Sequence, residues 1–195
     1  MPDLIDSLVG IGEGSRLHEL RERRPVARSD AQTTYDALVT APADLERASA
    51  VERAAIGYWV AALSAARALA AHYRDVLAGH DAAIAAAIDA ELPGALTTGP
   101  HGHYPAGPLS IEDEDGVRFA ASPALRAAVG DRLAAALEHA HLLTYRPRDA
   151  SPDALQALLD AGWTTDGVVT VSQLIAFTHF QHRVIAGLGV VKEAV

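Results

Sequence analysis

A run of apolar residues at helical spacing, between Asp44 and Leu77, restricts the fold more than any other feature of this sequence. The residues that recur three and four positions apart are Ile56, Trp59, Val60, Leu63 and Ala66. Such spacing is typical of a helix with one buried face. Half of all residues are hydrophobic but only 5% are aromatic, and Ala, Leu and Arg dominate. Because these residues enter a helix at low cost, we expect an all-α protein.

Start and stop signals along the chain predict about eight helices in a single domain that covers residues 1–195, with a helical extension at 1–40. Pro25 ends the second helix, because proline cannot donate the helical hydrogen bond, and Ser29 or Asp30 begins the third. Asp81 caps an alanine-rich helix that ends near Glu91, before Pro93-Gly94. Ser122-Pro123 and Ser151-Pro152 each begin a further helix.

The last predicted helix begins at Thr164 or Thr165 and reaches about Val191. It is apolar nearly all round, so we expect it to be buried on most sides, in the core or in a subunit interface.

Residues 93–122 form a long loop rich in proline and glycine. The turn signal Asp115-Gly116, followed by Val117–Phe119, indicates a small β-hairpin. A loop of this length in a compact domain is either a functional lid or disordered.

The charged and reactive residues exclude several classes of function. A net charge of −9 without a basic block argues against nucleic acid as a partner. The absence of cysteine excludes disulfides, thiolate metal sites and a cysteine nucleophile. The sequence has no run of about 18 apolar residues, so we expect no membrane helix. Its first residues also lack the basic start of a signal peptide. We therefore expect a cytoplasmic protein that needs no cofactor.

Three pairs of residues that contain histidine could carry chemistry. His101-Gly-His103 could ligate a metal with help from the acidic run 112–115, although we interpret it as a solvated loop. Glu138 and His141 have the Glu-x-x-His spacing of di-iron bundles, but the second pair that such sites need is missing. His179 and His182 share one face of the last helix, where they line a pocket or cross a subunit contact. We interpret them as core or interface residues.

The stretch from Glu52 to His72 resembles the core segment of the alkylhydroperoxidase D-like, carboxymuconolactone decarboxylase (CMD) superfamily. In that family an acidic residue begins a helix, and Cys-x-x-Cys-x-x-x-His follows about a dozen residues later. When His72 is matched to the motif's histidine, the two cysteines fall on Ala65 and Ala68. The tail from 155 to 191, with Arg183, and the opening segment 4–11 also resemble this family. The chain is thus similar to a branch that lacks the cysteine pair.

The resemblance implies the alkylhydroperoxidase D-like helical fold and a homo-oligomer, either a trimer or a hexamer. A helix break after Leu63, with Ser64 as the cap of the next helix, would let Glu52 and His72 converge as catalytic residues. The function we expect is that of a peroxidase-related CMD-domain protein without thiol peroxidase activity, because Ala65 and Ala68 occupy the thiol positions. One alternative is a non-catalytic oligomeric partner or a small-ligand-binding member. A second alternative is a cysteine-independent decarboxylase or lactone-type enzyme that uses His72 for acid–base chemistry.

Overall fold

The computed structural model describes residues 3–194, and in that range the chain folds into nine α-helices and no β-strand. This confirms the prediction of an all-α fold with about eight helices. The helices are α1 (Leu4–Val9), α2 (Arg16–Glu22), α3 (Pro25–Tyr35), α4 (Ala50–Leu63), α5 (Arg67–His80), α6 (Ala82–Ala95), α7 (Pro123–Tyr145), α8 (Pro152–Asp160) and α9 (Thr165–Glu193).

Buried ion pairs hold the first three helices together. Asp3 and Asp6 are almost fully buried, and Arg21 pairs with both carboxylates. Arg28 pairs with the same two carboxylates. Its Nη2 lies 2.6 Å from Asp6 Oδ2, and its Nε lies 3.0 Å from Asp3 Oδ2. At the other end of the chain, Lys192 Nζ donates to the carbonyl of Val9 at 2.8 Å, which ties α1 to α9.

Helix α3 begins at Pro25 rather than at Ser29 or Asp30. Proline is well suited to the first helical position, because the N–H that it lacks would have no helical partner there. The proline that ends α2 therefore also begins α3.

Helix α4 is the centre of the protein. Its start is fixed by a capping box, in which Ser49 and Glu52 each bond the other's backbone N–H. Every residue from 53 to 61 is buried, and Trp59 Nε1 donates to the carbonyl of Leu137 in α7 at 2.9 Å. Helices α5, α6, α7 and α9 all pack against α4, so any site at its ends lies between several helices.

The chain breaks after Leu63, as predicted, but Ser64 does not cap the following helix. Ser64 closes α4, with its N–H bonded to the carbonyl of Val60 at 3.0 Å. Ala65 then adopts a left-handed conformation with φ of 55°. Helix α5 begins two residues later, with Ala66 at its N-cap and no side-chain cap.

Helix α6 continues through Pro93-Gly94 to Ala95, beyond its predicted end near Glu91. Pro93 lies in the last turn, where the loss of one bond is tolerated because Leu96 N still donates to Leu92 O at 3.1 Å and Ala95 is buried. The loop therefore begins at residue 96 rather than 93.

The β-hairpin predicted around Val117–Phe119 is absent from the part of the chain that the structure describes. The loop contains one isolated bridge, between Gly102 and Glu114. Phe119 instead packs its ring against Trp59, with centroids 5.2 Å apart, and stacks on His141 at 5.0 Å. Burial of this side chain against α4 and α7 fixes the segment without strand pairing.

Within the chain, helix α9 is buried on one face only, so it is not a core helix on most sides, and the alternative of a subunit interface stays a prediction. The residues of one face are buried against the chain, among them Val171, Leu174 and Ile175, whereas Val169, Phe180 and Val190 are exposed. By length and composition alone this helix could span a membrane, since one 18-residue window has a mean hydropathy of 1.2. The core helix of a soluble protein passes the same test, so the expectation that no helix spans a membrane stays a prediction.

Candidate functional site

His72, the histidine carried over from the family resemblance, is half-buried in the middle of α5. Its Nε2 lies 2.7 Å from the hydroxyl of Tyr35, and the two ring centroids are 5.6 Å apart. Burial lowers the pKa of His72, so the ring is neutral at pH 7. The same burial raises the pKa of Tyr35 to about 12. The pair is thus a neutral hydrogen bond between α3 and α5.

Glu52 has other partners. One carboxylate oxygen accepts from Ser49 N at 2.7 Å in the capping box, and the other lies 3.0 Å from Arg132 Nε. Glu52 contacts Ser49 and Arg132, whereas His72 contacts Tyr35, so the structure shows no contact between the two side chains. The predicted convergence of Glu52 and His72 is not seen.

Ala65 and Ala68, the positions that match the family's thiols, are both exposed at the break between α4 and α5. Ala65 lines a cleft of about 620 Å³. This volume is within the range of about 300–1,000 Å³ that is typical of small-molecule sites. The polar groups that line the cleft come from four parts of the chain: Ser64, Thr97 and Thr98 of the loop, Thr144 of α7, and His179, His182 and Arg183 of α9.

His179 lies at the centre of these groups. Its Nδ1 is 3.4 Å from Ser64 Oγ, and its Nε2 is 3.3 Å from Thr144 Oγ1. Burial is the main cause that lowers the pKa of His179 to about 4, and the positive charges of Arg183 and His182 lower it further. The imidazole is therefore neutral at pH 7, with one N–H and one free lone pair.

Arg183 supplies a permanent positive charge at the cleft. Its Nη1 contacts the backbone carbonyl of His179 at 3.4 Å, and in residues 3–194 it forms no ion pair with a carboxylate. Burial lowers the pKa of the neighbouring His182, with Arg183 as a further cause. The cleft thus offers one unpaired cation and several hydrogen-bonding groups.

His101 and His103, the weak candidates for a metal site on the loop, lie near different carboxylates. His101 is buried and lies 3.9 Å from Glu114, whereas exposed His103 lies 3.3 Å from Asp115. No group of three or more potential metal ligands occurs within the described residues. His141, the other histidine with a metal-site spacing, donates from Nε2 to the carbonyl of Ala95 at 2.9 Å. Glu138 pairs instead with Arg126, at 2.6 Å.

A second cleft of about 580 Å³ lies between the end of α3 and α9. Its most buried charged residue, Arg53, donates to the carbonyls of Ala48, Leu38 and Asp44 at 2.8–2.9 Å. These bonds anchor the segment that precedes α4, so we assign Arg53 a structural role.

A smaller cleft of about 260 Å³ lies beside α7. There, the Nδ1 atom of His139 is buried without a hydrogen-bond partner. Its charged neighbours are already bonded to other residues, Arg146 to Asp149 at 2.7 Å among them. This cleft is below the usual size of a ligand site.

Sequence reasoning missed Ser64 and Thr144 as members of a site. It did offer a pocket as one of two interpretations of His179 and His182, and the structure places both at the cleft. Their spacing of three on an apolar helix was the available signal. No pattern connects them to Ser64, which is 115 residues from His179.

Comparison of this chain with family models, curated proteins and solved structures finds no match. The resemblance to the alkylhydroperoxidase D-like superfamily therefore stays a prediction.

Proposed function

We propose that this chain is a thiol-free protein of the alkylhydroperoxidase D-like class that binds a small organic acid in the cleft at the α4–α5 break. The observation that carries the proposal is the position of Arg183. Its guanidinium lies without a carboxylate partner in a cleft that also includes Ala65, the matched position of the family's first thiol. With alanine there, the cleft retains space and charge but no redox group.

The charge of the protein strengthens this interpretation. The chain has a net charge of −9, so the positive charge that exposed Arg183 brings to the cleft is opposite in sign to that of the whole protein. Arginine binds carboxylates through two parallel hydrogen bonds. Apolar side chains of Leu63, Leu143 and Tyr145 also line the cleft. This combination suits an acid with a small hydrocarbon body.

Titration calorimetry with benzoate and benzamide tests the proposal. The two compounds have nearly the same shape, but only benzoate carries a negative charge. We expect benzoate to bind and Arg183→Leu to weaken its binding by about tenfold, which corresponds to about 1.4 kcal/mol. Arg23→Leu is the matched control, because Arg23 is exposed directly after α2 and its loss changes the net charge equally. Equal binding of benzamide, or equal weakening by the two substitutions, would overturn the proposal.

Homo-oligomerisation is a second proposal, and the exposed apolar residues of α9 favour it. Phe180 is 45% exposed and its ring is stacked on that of Phe177 at 5.9 Å. A second copy of the chain would cover this surface, in a non-catalytic assembly or around the ligand site.

The acid–base alternative is less favoured, because Glu52 is not a neighbour of His72 and the histidine is bonded to Tyr35.

A further inference from the structure

We propose that Ser64 is the nucleophile of an ester-hydrolysing site in the cleft, with His179 as its general base. The substrate class is an ester of a small organic acid. This inference rests on the proposed function, because the small organic acid that Arg183 would bind is the product that the hydrolysis releases. The argument follows from hydrogen-bond directions, from the backbone at Ser64 and from the surrounding charge.

Thr144 fixes the tautomer of His179 by accepting its hydrogen bond. The hydroxyl of Thr144 donates its one proton to the carbonyl of Ala140 at 2.8 Å. Towards His179 the Thr144 oxygen can then act only as an acceptor, so Nε2 of the imidazole carries the proton. A neutral ring with its proton on Nε2 leaves the lone pair of Nδ1 free. That lone pair belongs to the nitrogen nearest Ser64.

Ser64 and His179 therefore have the arrangement of a hydroxyl beside its base. The 3.4 Å between Ser64 Oγ and His179 Nδ1 is longer than a strong hydrogen bond. Such contacts are often loose without substrate and shorten in the complex. Thr144 is a positioning residue, since it holds the opposite side of the ring and does not touch the reacting atoms. The order hydroxyl, imidazole, acceptor is the logic of a catalytic triad with a neutral third member.

The backbone beside Ser64 is strained. Ala65 has φ of 55°, a conformation that side chains other than glycine adopt at a cost of about 1–3 kcal/mol. This residue turns the chain between α4 and α5 directly after Ser64, and both residues line the cleft. Strain at this position is consistent with a requirement to present the serine side chain at the end of α4.

The proposed reaction is balanced without any further reagent except water. Ser64 Oγ bonds to the acyl carbon while its proton moves to His179 Nδ1. The bond from the acyl carbon to the alcohol oxygen then breaks, and the alcohol leaves with the proton from Nδ1. Water attacks the resulting serine ester with the same base, which releases the acid and restores Ser64. Arg183 and His182 lie where they can stabilise negative charge on the substrate.

Reaction of the full chain with a fluorophosphonate probe tests this inference, with the labelled residue located by mass spectrometry. We expect one adduct per chain, on Ser64. Labelling should disappear in Ser64→Ala and fall at least tenfold in His179→Gln. Ser172→Ala is the control, because this hydroxyl bonds to the carbonyl of Val168 within α9. No adduct, adducts spread over other hydroxyls, or equal labelling of His179→Gln would overturn the inference.

A second variant keeps the test independent of how well Ser64→Ala folds. The chain contains no cysteine, so Ser64→Cys introduces a single thiol whose alkylation by iodoacetamide can be measured directly. We expect His179→Gln to slow this alkylation at least fivefold at pH 7. An unchanged rate would contradict the assignment of His179 as the base.

Benzoate binding by the same wild-type preparation separates the two proposals, because binding without labelling overturns only the role of Ser64. Labelling without binding overturns only the role of the acid.

Discussion

The hydroxyl of Tyr73 donates to the side-chain oxygen of Gln181 at 2.7 Å, and this buried contact links α5 to α9. Tyr73 is fully buried, and burial raises its pKa far above the usual value, so the hydroxyl stays protonated and acts as the donor. Gln181 lies two residues after His179 and one before His182. The bond thus helps to set the position of the part of α9 that faces the cleft.

Gly57 permits this arrangement, and Gly57→Ala should destabilise the protein. A Cβ atom at residue 57 would lie 2.5 Å from the ring of Tyr73, so α5 or the ring would have to move. We expect a loss of about 1–3 kcal/mol in the free energy of unfolding, as for other overpacked cores. Urea unfolding followed by circular dichroism measures it.

Gly79→Ala is the matched control for Gly57→Ala. Gly79 lies in α5, is exposed, and a Cβ there would meet nothing within 4 Å. This substitution should stabilise the protein by about 0.5–1 kcal/mol, because alanine loses less backbone entropy in a helix. The same effect from both substitutions would show that the contact between α4 and α5 is not as tight as described.

The neutral His179 makes stability depend on pH. The pKa of His179 is about 4 in the folded protein, below the value of about 6.5 for an exposed histidine. The unfolded chain therefore takes up this proton as the pH falls from about 6.5 towards 4, while the folded protein does not. It follows that the free energy of unfolding decreases through this window.

Urea unfolding at pH 7 and pH 5 checks this effect. We expect His179→Gln to lose less stability than the wild type between the two pH values, because it lacks the titrating group. Other buried groups, such as His139 and His141, contribute a loss of the same sign to both proteins. An equal loss in the two proteins would mean that His179 is protonated in the folded state.

Restoring the family's thiols should restore peroxide chemistry if the resemblance is real. We expect the wild type to consume no hydrogen peroxide with dithiothreitol as reductant, since it has no thiol. The variant Ala65→Cys with Ala68→Cys should consume it, because a thiol at residue 65 faces the cleft and a thiol at 68 lies in the first turn of α5. Helix N-termini lower the pKa of a thiol and so favour the reactive thiolate.

A second cysteine pair tests whether the position matters. Ala83→Cys with Ala86→Cys has the same spacing in α6, where both residues are exposed. That helix also has a capped N-terminus, at Asp81, but residues 83 and 86 do not line the cleft. If this pair consumed peroxide as fast as the first, helix position alone would explain the activity and the resemblance would lose its support.

The exposed face of α9 predicts self-association. Light scattering of the wild type should give a multiple of the chain mass, and Phe180→Asp should shift it towards the monomer by placing a charge in the contact. Ile111→Asp is the control, because Ile111 is 91% exposed on the loop, away from α9. A monomeric wild type, or dissociation by Ile111→Asp alone, would rule out this interface.

Local signals determined the helices well. The capping serines at 122 and 151 and the glycine turn after α8 each act over a few residues, so their effects can be predicted without the fold. The errors occurred where packing overrides such signals. Pro93 did not end α6, because Ala95 is buried in the core, and the hairpin did not form, because the ring of Phe119 packs on Trp59.

By itself, the sequence determined that this chain is helical, that it breaks after Leu63 and that it has no thiol chemistry. These are consequences of local propensity and of composition. Only the tertiary structure decided that Ser64, Thr144 and His179 meet at one cleft, and that Glu52 and His72 do not. His179 is 35 positions from Thr144 and 115 positions from Ser64 in the sequence. Such contacts depend on how the helices pack together, and no local pattern encodes that packing.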